Sequence, residues 1–203
     1  TAELEAGALD IAGRTASAVV DALSARPDET VLVGAAGGGV GSILTQLLVR
    51  DGVNVIGTGS KKSADDIRSL GARPVEYGAG LAAEVAATGL RVAAAADLHG
   101  TDTAETAIRL GVSPHRVVTI EADDRLAGVV QVNGSDARSD ALDRLLVLIS
   151  EKDLRIPVAA VYGLDRFRDA VEHQRSRHVH GKIVITPSME HRAVRFVIES
   201  STV

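Results

Sequence analysis

The sequence predicts an α/β fold organised around a doubly wound parallel sheet. Three observations predict it. Short, near-continuous apolar runs alternate along the chain with segments of helical periodicity. Apolar residues make up 45% of the 203 residues but aromatic ones only 2%, so Ala, Val, Leu and Ile must fill the core, as in a sheet covered on both faces. A dense glycine cluster lies where the first apolar run passes into a helix.

Each element has its own signal. Ala16, Val19, Val20 and Leu23 share one face of a helix over 11–25, and Pro27-Asp28 breaks it. Thr30 to Gly34 is a short apolar strand. Beyond the glycines, Ile43, Leu44, Leu47 and Leu48 mark a second helix that Asp51-Gly52 closes before the strand Val53 to Gly57. This strand–turn–helix–strand unit has the size of a βαβ crossover. A polar helix from Ser63 to Leu70 stops at Gly71, and Pro74 to Tyr77 is a brief strand. An Ala-rich helix, Leu81 to Thr88, precedes the strand Arg91 to Ala96. A helix over 103–110 stops at Gly111 before the strand Arg116 to Ile120. Gly128 to Val132 is a further strand. Leu142, Leu145, Leu146 and Ile149 give an amphipathic helix by spacing. A strand over 158–161, a helix from Asp165 to Arg175 and a strand from Lys182 to Thr186 complete the alternation. In the tail, Val194, Phe196 and Ile198 alternate as in a strand, although their flanks do not settle the assignment.

Composition removes several functions. With no Cys, the chain has no disulfide, thiolate metal site or Cys nucleophile. A net charge of -5 gives no electrostatic reason for a nucleic-acid or anionic-membrane partner. No apolar run has the length of a membrane span and no signal-peptide pattern is present, so a cytoplasmic location is expected. The chain begins at Thr1 in mid-stride, which reads as a cut or processed end.

The stretch VLVGAAGGGVGS (31–42) holds most of the functional information. No strict G-x-G-x-x-G fits, but Ala35-x-x-Gly38-x-x-Gly41 does, between a strand and a helix. Small residues there let the backbone turn sharply and approach a pyrophosphate, which the free N–H groups and positive end of the helix would hold. Gly41 would let the helix pack closely on the strand. A tight turn without a ligand is the alternative. At the end of the next strand, an NAD-specific site carries a carboxylate for the ribose 2′-OH. Here the order is Ile56-Gly57-Thr58-Gly59-Ser60-Lys61-Lys62, with no acid. Cations and a hydroxyl suit a 2′-phosphate, so the expected cofactor is NADP(H). Lys61 and Lys62 could equally be the solvated start of a helix.

In this order of motifs the chain resembles the medium-chain dehydrogenase/reductase superfamily, in its zinc-independent quinone oxidoreductase branch. The resemblance runs from Ala12-Gly13-Arg14-Thr15-Ala16 through the glycine stretch, VIGTGSKK (55–62), LGARPVEY (70–77), RLGVSPHRVVTI (109–120), RIPVAAVYGLDRFRDAV (155–171) and HVHGKIVITP (178–187). It implies a Rossmann domain over 1–154, a return segment of the substrate domain over 155–187, and a tail over 188–203. It also implies that Gly37, Gly38, Gly39, Val40 and Gly41 line the pyrophosphate. Thr58, Ser60, Lys61 and Tyr77 would surround the 2′-phosphate, and Thr15 would approach the nicotinamide half. Tyr77 could instead be a strand residue with a half-buried ring. Relatives commonly dimerise through edge strands, and Gly128 to Val132 is the candidate edge. The sequence departs from the family at Ser113-Pro114-His115-Arg116, where a Pro-Gly-Gly-Arg turn is usual. It departs again at Ala96-Asp97-Leu98-His99-Gly100, where Leu98 and His99 would sit near the ribose and nicotinamide. The β-barrel substrate domain that relatives carry upstream is expected to be absent.

The resemblance implies hydride transfer from NADPH to a quinone or an α,β-unsaturated carbonyl, with the cofactor carrying the chemistry. No triad, paired carboxylate or zinc ligand set stands out, and the catalytic residues are unknown. His178-x-His180 shares one strand face but reads as a basic turn more readily than a metal site. His99 is either a proton donor near the nicotinamide or an ordinary loop histidine. Three functions remain open: the cofactor part of a reductase, a non-catalytic NADPH-binding or oligomerisation module, and a scaffold that no longer binds nucleotide.

Overall fold

A computed structural model describes residues 2–121, 126–176, 179 and 181–187 of the chain. The tail readings at Val194, Phe196 and Ile198, and His178 and His180, lie outside the described residues. Two helices open the chain, α1 (Ala2–Gly7) and α2 (Asp10–Leu23); the first has no counterpart in the sequence reading. Then come β1 (Thr30–Val33), α3 (Gly41–Arg50), β2 (Asn54–Gly59), α4 (Ala64–Ser69), β3 (Arg73–Glu76), α5 (Leu81–Ala87), β4 (Val92–Asp97), α6 (Asp102–Arg109), β5 (Val117–Thr119) and β6 (Val130–Gln131). The last elements are α7 (Ala141–Ser150), β7 (Val158–Gly163), α8 (Phe167–Arg175) and β8 (Lys182–Thr186).

Six strands form one sheet in the order β3-β2-β1-β4-β5-β6, and every pairing is parallel. The chain winds outward from β1 to β3 and returns to lay β4 on the other flank of β1. Between β1 and β4 the winding direction reverses, and ligands of such sheets bind beyond the strand ends at that point. The expected α/β fold with a doubly wound parallel sheet is therefore present. β7 and β8 form a separate parallel pair.

The apolar strands divide their side chains between two helical layers, as the period of two requires. Val31 and Val33, Val55, Ala94, Ala96 and Val118 pack in one core with Leu23 of α2, Ile43, Leu44 and Leu48 of α3, and Leu145 of α7. Leu32, Ile56, Ala95 and Val117 face the opposite core with Leu81 and Val85 of α5 and Ala104 of α6. Each fully buried Leu or Ile contributes about 1.5–3 kcal/mol of apolar burial.

Two elements differ from expectation. The strand expected over 128–132 shrinks to β6, because Gly128 has a φ of +81° and belongs to a turn. On α7 the buried side chains are Ala141, Leu145 and Ile149, while Leu146 is 41% exposed. The variant turn before β5 also has a structural role. After Ser113-Pro114-His115, the Arg116 guanidinium donates to the carbonyl of Leu23 at 2.8 Å and to Glu29 Oε2 at 2.7 Å. It thereby ties the end of α2 to the loop before β1.

Candidate functional site

The glycine turn follows β1 at the reversal point, and its backbone is held on three sides. Gly34 N–H donates to the Ala96 carbonyl of β4 (2.8 Å), while Ala36 N–H donates to the Thr58 carbonyl of β2 (3.1 Å). Ala35 takes a left-handed φ of +50°, and its N–H donates to Thr58 Oγ1 at 3.0 Å. A side chain on Gly34 would come within 2.6 Å of Thr103 Oγ1. One on Gly41 would run into the Ala35 carbonyl and the backbone of Ala36, so α3 starts directly against the turn that follows β1. Among the described residues no acceptor stands opposite the N–H groups of Gly39 and Val40. They precede a helix of ten residues, whose start carries partial positive charge.

The second sheet closes over this turn. Gly181 N–H donates to the Gly37 carbonyl at 3.2 Å. The next residue, Lys182, lies directly over Gly39. A Cβ on Gly39 would fall 2.9 Å from Lys182 Nζ and 3.0 Å from its Cε. No carboxylate pairs with this half-buried ammonium among the described residues, and burial holds its pKa below the ordinary lysine value. A cleft of about 500 Å³ lies between the turn and the second sheet, lined by Gly38, Gly39, Val40 and Gly41 with Leu98, His99, Gln174 and Lys182 among others. A cation without an anion, free N–H groups and a floor of glycines together fit a bound phosphate or pyrophosphate. The sequence reading did not single out Lys182; the Gly-Lys pair opening the last strand was the available signal.

The remaining expected residues lie elsewhere around the turn. Thr58 is buried, and its hydroxyl is engaged by Ala35 N–H, so it shapes the turn from beneath. Ser60 Oγ lies 3.2 Å from Ser63 Oγ in the short 3-10 turn Lys61–Ser63 after β2. Lys61 is exposed, with Nζ 3.6 Å from Glu76 Oε2 at the end of β3. Tyr77 follows Glu76, donates its N–H to the Gly59 carbonyl and keeps its ring in solvent, 62% exposed. Lys61, Glu76 and Tyr77 thus share one corner beyond β2 and β3. Thr15 is not among the cleft residues. Its hydroxyl donates to the Ile11 carbonyl of α2 at 2.7 Å and faces Gly134.

Asp97 ends β4 beneath the cleft wall. It is fully buried and accepts N–H bonds from Ala104 (2.8 Å) and His99 (3.1 Å), which anchors the start of α6. Burial pushes its carboxyl above the usual carboxylate range against the opposing effect of these N–H groups. His99 lines the cleft and is 72% exposed, with Nδ1 3.5 Å from Glu121 Oε1. The described residues hold no group of three or more His, Cys, Asp or Glu able to bind a metal. No helix among them is long and apolar enough to cross a membrane.

A six-stranded parallel sheet with a glycine cradle and a helix start at its reversal point defines a dinucleotide-binding α/β unit. Residues 6–185 match the model of the zinc-binding dehydrogenases, and the chain belongs to that family of medium-chain dehydrogenases/reductases as its cofactor-binding domain. No curated protein matches it. Among solved structures it is similar to a quinone oxidoreductase from Coxiella burnetii, at 26% identity and TM-score 0.73 over 86% of this chain and 57% of that one. A putative alcohol dehydrogenase from Sinorhizobium meliloti is similar at 26% identity and TM-score 0.76, over 88% and 54%. A mycobacterial protein solved with NADPH shares the fold at 23% identity and TM-score 0.71, over 87% and 62%. The chain spans between 54% and 62% of the length of these three structures. The family name refers to zinc, but the described residues offer no ligand set for it, and no zinc-dependent step is assigned to them.

Proposed function

We propose that this chain is the cofactor-binding part of an NADPH-dependent reductase that delivers hydride to a quinone or an α,β-unsaturated carbonyl. The observation that carries the reading is the Lys182 ammonium over Gly39, without a carboxylate partner among the described residues, lining one cleft with Gly39 and Val40, whose N–H groups find no acceptor among them. That arrangement suits a dinucleotide pyrophosphate. Bound there, a reduced nicotinamide coenzyme would supply the hydride.

Gly38 and Gly39 admit the pyrophosphate to the backbone, the Gly39 and Val40 N–H groups donate to it, and Lys182 neutralises it from above. Lys61 and Ser60, with no acid ending β2, support the choice of NADP(H) at the far corner. The C-terminal sheet of β7 and β8 is read as the return segment of a substrate domain, so the substrate would be held largely by parts outside this chain. Two copies would pair through β6, one of the two edge strands of the sheet. A monomer in light scattering at high concentration removes that part of the reading.

The test is coenzyme titration followed by oxidation of NADPH with a quinone and with an enone. Lys182→Met should weaken binding of NADPH and NADH alike by roughly tenfold or more, as expected for losing a charge-assisted contact. If the protein binds neither coenzyme, the reading is wrong. Binding without oxidation by either acceptor fits this reading and the non-catalytic module alike, because the substrate would be held largely outside this chain.

A further inference from the structure

We propose that Glu76 is a coenzyme-specificity residue, which lowers the preference for NADP(H) over NAD(H) by competing for Lys61. The proposal rests on the nucleotide reading above and extends it to the adenosine end of the site.

The strand register brings the two residues together. Gly59, the last residue of β2, pairs with Glu76, the last of β3. Tyr77 N–H extends the pairing by donating to the Gly59 carbonyl at 3.2 Å. Two residues beyond Gly59 the chain turns, and Lys61 brings Nζ to 3.6 Å from Glu76 Oε2. The acid missing from the end of β2 is therefore supplied by the neighbouring strand. It lies on the cation that the 2′-phosphate would need.

The two coenzymes meet this pair differently. A 2′-phosphate carries up to two negative charges and must take Lys61 from a carboxylate that stays close, anchored on β3. The ammonium is then shared between two anions that repel one another. A ribose 2′-OH is a hydrogen-bond donor, which a carboxylate accepts without such a conflict. Both side chains are substantially exposed, at 86% and 47%, so water and salt screen the repulsion and the effect is moderate.

Dissociation constants for NADPH and NADH would be measured by fluorescence titration on the protein, on Glu76→Gln and on Glu76→Ala. Both substitutions should tighten NADPH by roughly threefold to tenfold and leave NADH unchanged or weaker. The gain should shrink as salt is raised. An NADPH-to-NADH ratio within twofold of the wild type in both variants would overturn the proposal, as would an equal shift of both coenzymes. Those outcomes leave the nucleotide reading standing. Failure of the wild type to bind either coenzyme removes both.

Discussion

At the scale of single residues, the site depends on atoms that are absent as much as on those present. Gly41 has no room for a methyl group, because the Ala35 carbonyl and the Ala36 backbone already fill that space. Backbone cannot move aside as a flexible side chain can. Gly41→Ala should therefore destabilise the fold by about 1–3 kcal/mol in urea denaturation and weaken coenzyme binding, since the start of α3 must shift. Lys182 gives a second prediction at this scale. Burial lowers its pKa, so in the free protein it becomes neutral at a lower pH than an ordinary lysine. An approaching phosphate favours the charged form, and affinity for either coenzyme should fall as pH rises through that lowered value. Lys182→Met should bind weakly with no such alkaline limb, a difference that titrations across the pH range would reveal.

At the scale of elements, two buried or half-buried charges hold helices to the sheet. Arg116 links β5 to the end of α2 through the Leu23 carbonyl and Glu29. Replacing it with Met should cost roughly 1–3 kcal/mol, read by urea denaturation, as expected for bonds to a charged group. Asp97 does the same for α6, with a pH signature. Its folded pKa is raised, so the stability it contributes is fully present below the ordinary Asp value and is lost as pH rises through the folded value. In the acid range the wild type should lose stability with rising pH relative to Asp97→Asn, which has no charge to bury. Parallel slopes for the two proteins would refute this.

Legibility also divides at this scale. Strands such as β1 and β4 are readable because burial on both faces leaves them almost wholly apolar, with only Thr30 and Asp97 as exceptions. β8 was readable down to its bounds, Lys182–Thr186. The apolar spacing on α7 marked a helix but overstated its buried face, since Leu146 is left in solvent. Thr58 illustrates a different limit. The resemblance implies a place for it at the phosphate corner, while its bond from Ala35 N–H depends on strand pairing that no local motif displays. Glu76 escaped notice because the rule for a ribose-binding acid follows one strand, and here the carboxylate arrives from the next.

At the scale of the whole molecule, the six-stranded sheet supplies the floor of the cleft and the two-stranded sheet its cover. They meet where Gly181 donates to Gly37. This long-range contact explains why the glycine turn could be recognised locally while Lys182 could not. With the coenzyme bound as proposed, its affinity would depend on packing between two sheets. Substitutions that loosen β7 from β8 should weaken coenzyme binding even when they lie far from the glycines.

The Gly37–Gly181 bond has a further consequence, in the order of synthesis. A ribosome releases the glycine cradle long before it makes Lys182, so the nascent chain can fold its large sheet while the nucleotide cleft still lacks its cover. If the cleft holds the coenzyme as proposed, its capture would be a late event in biogenesis, and a nucleotide seated beneath β8 would hold that strand down.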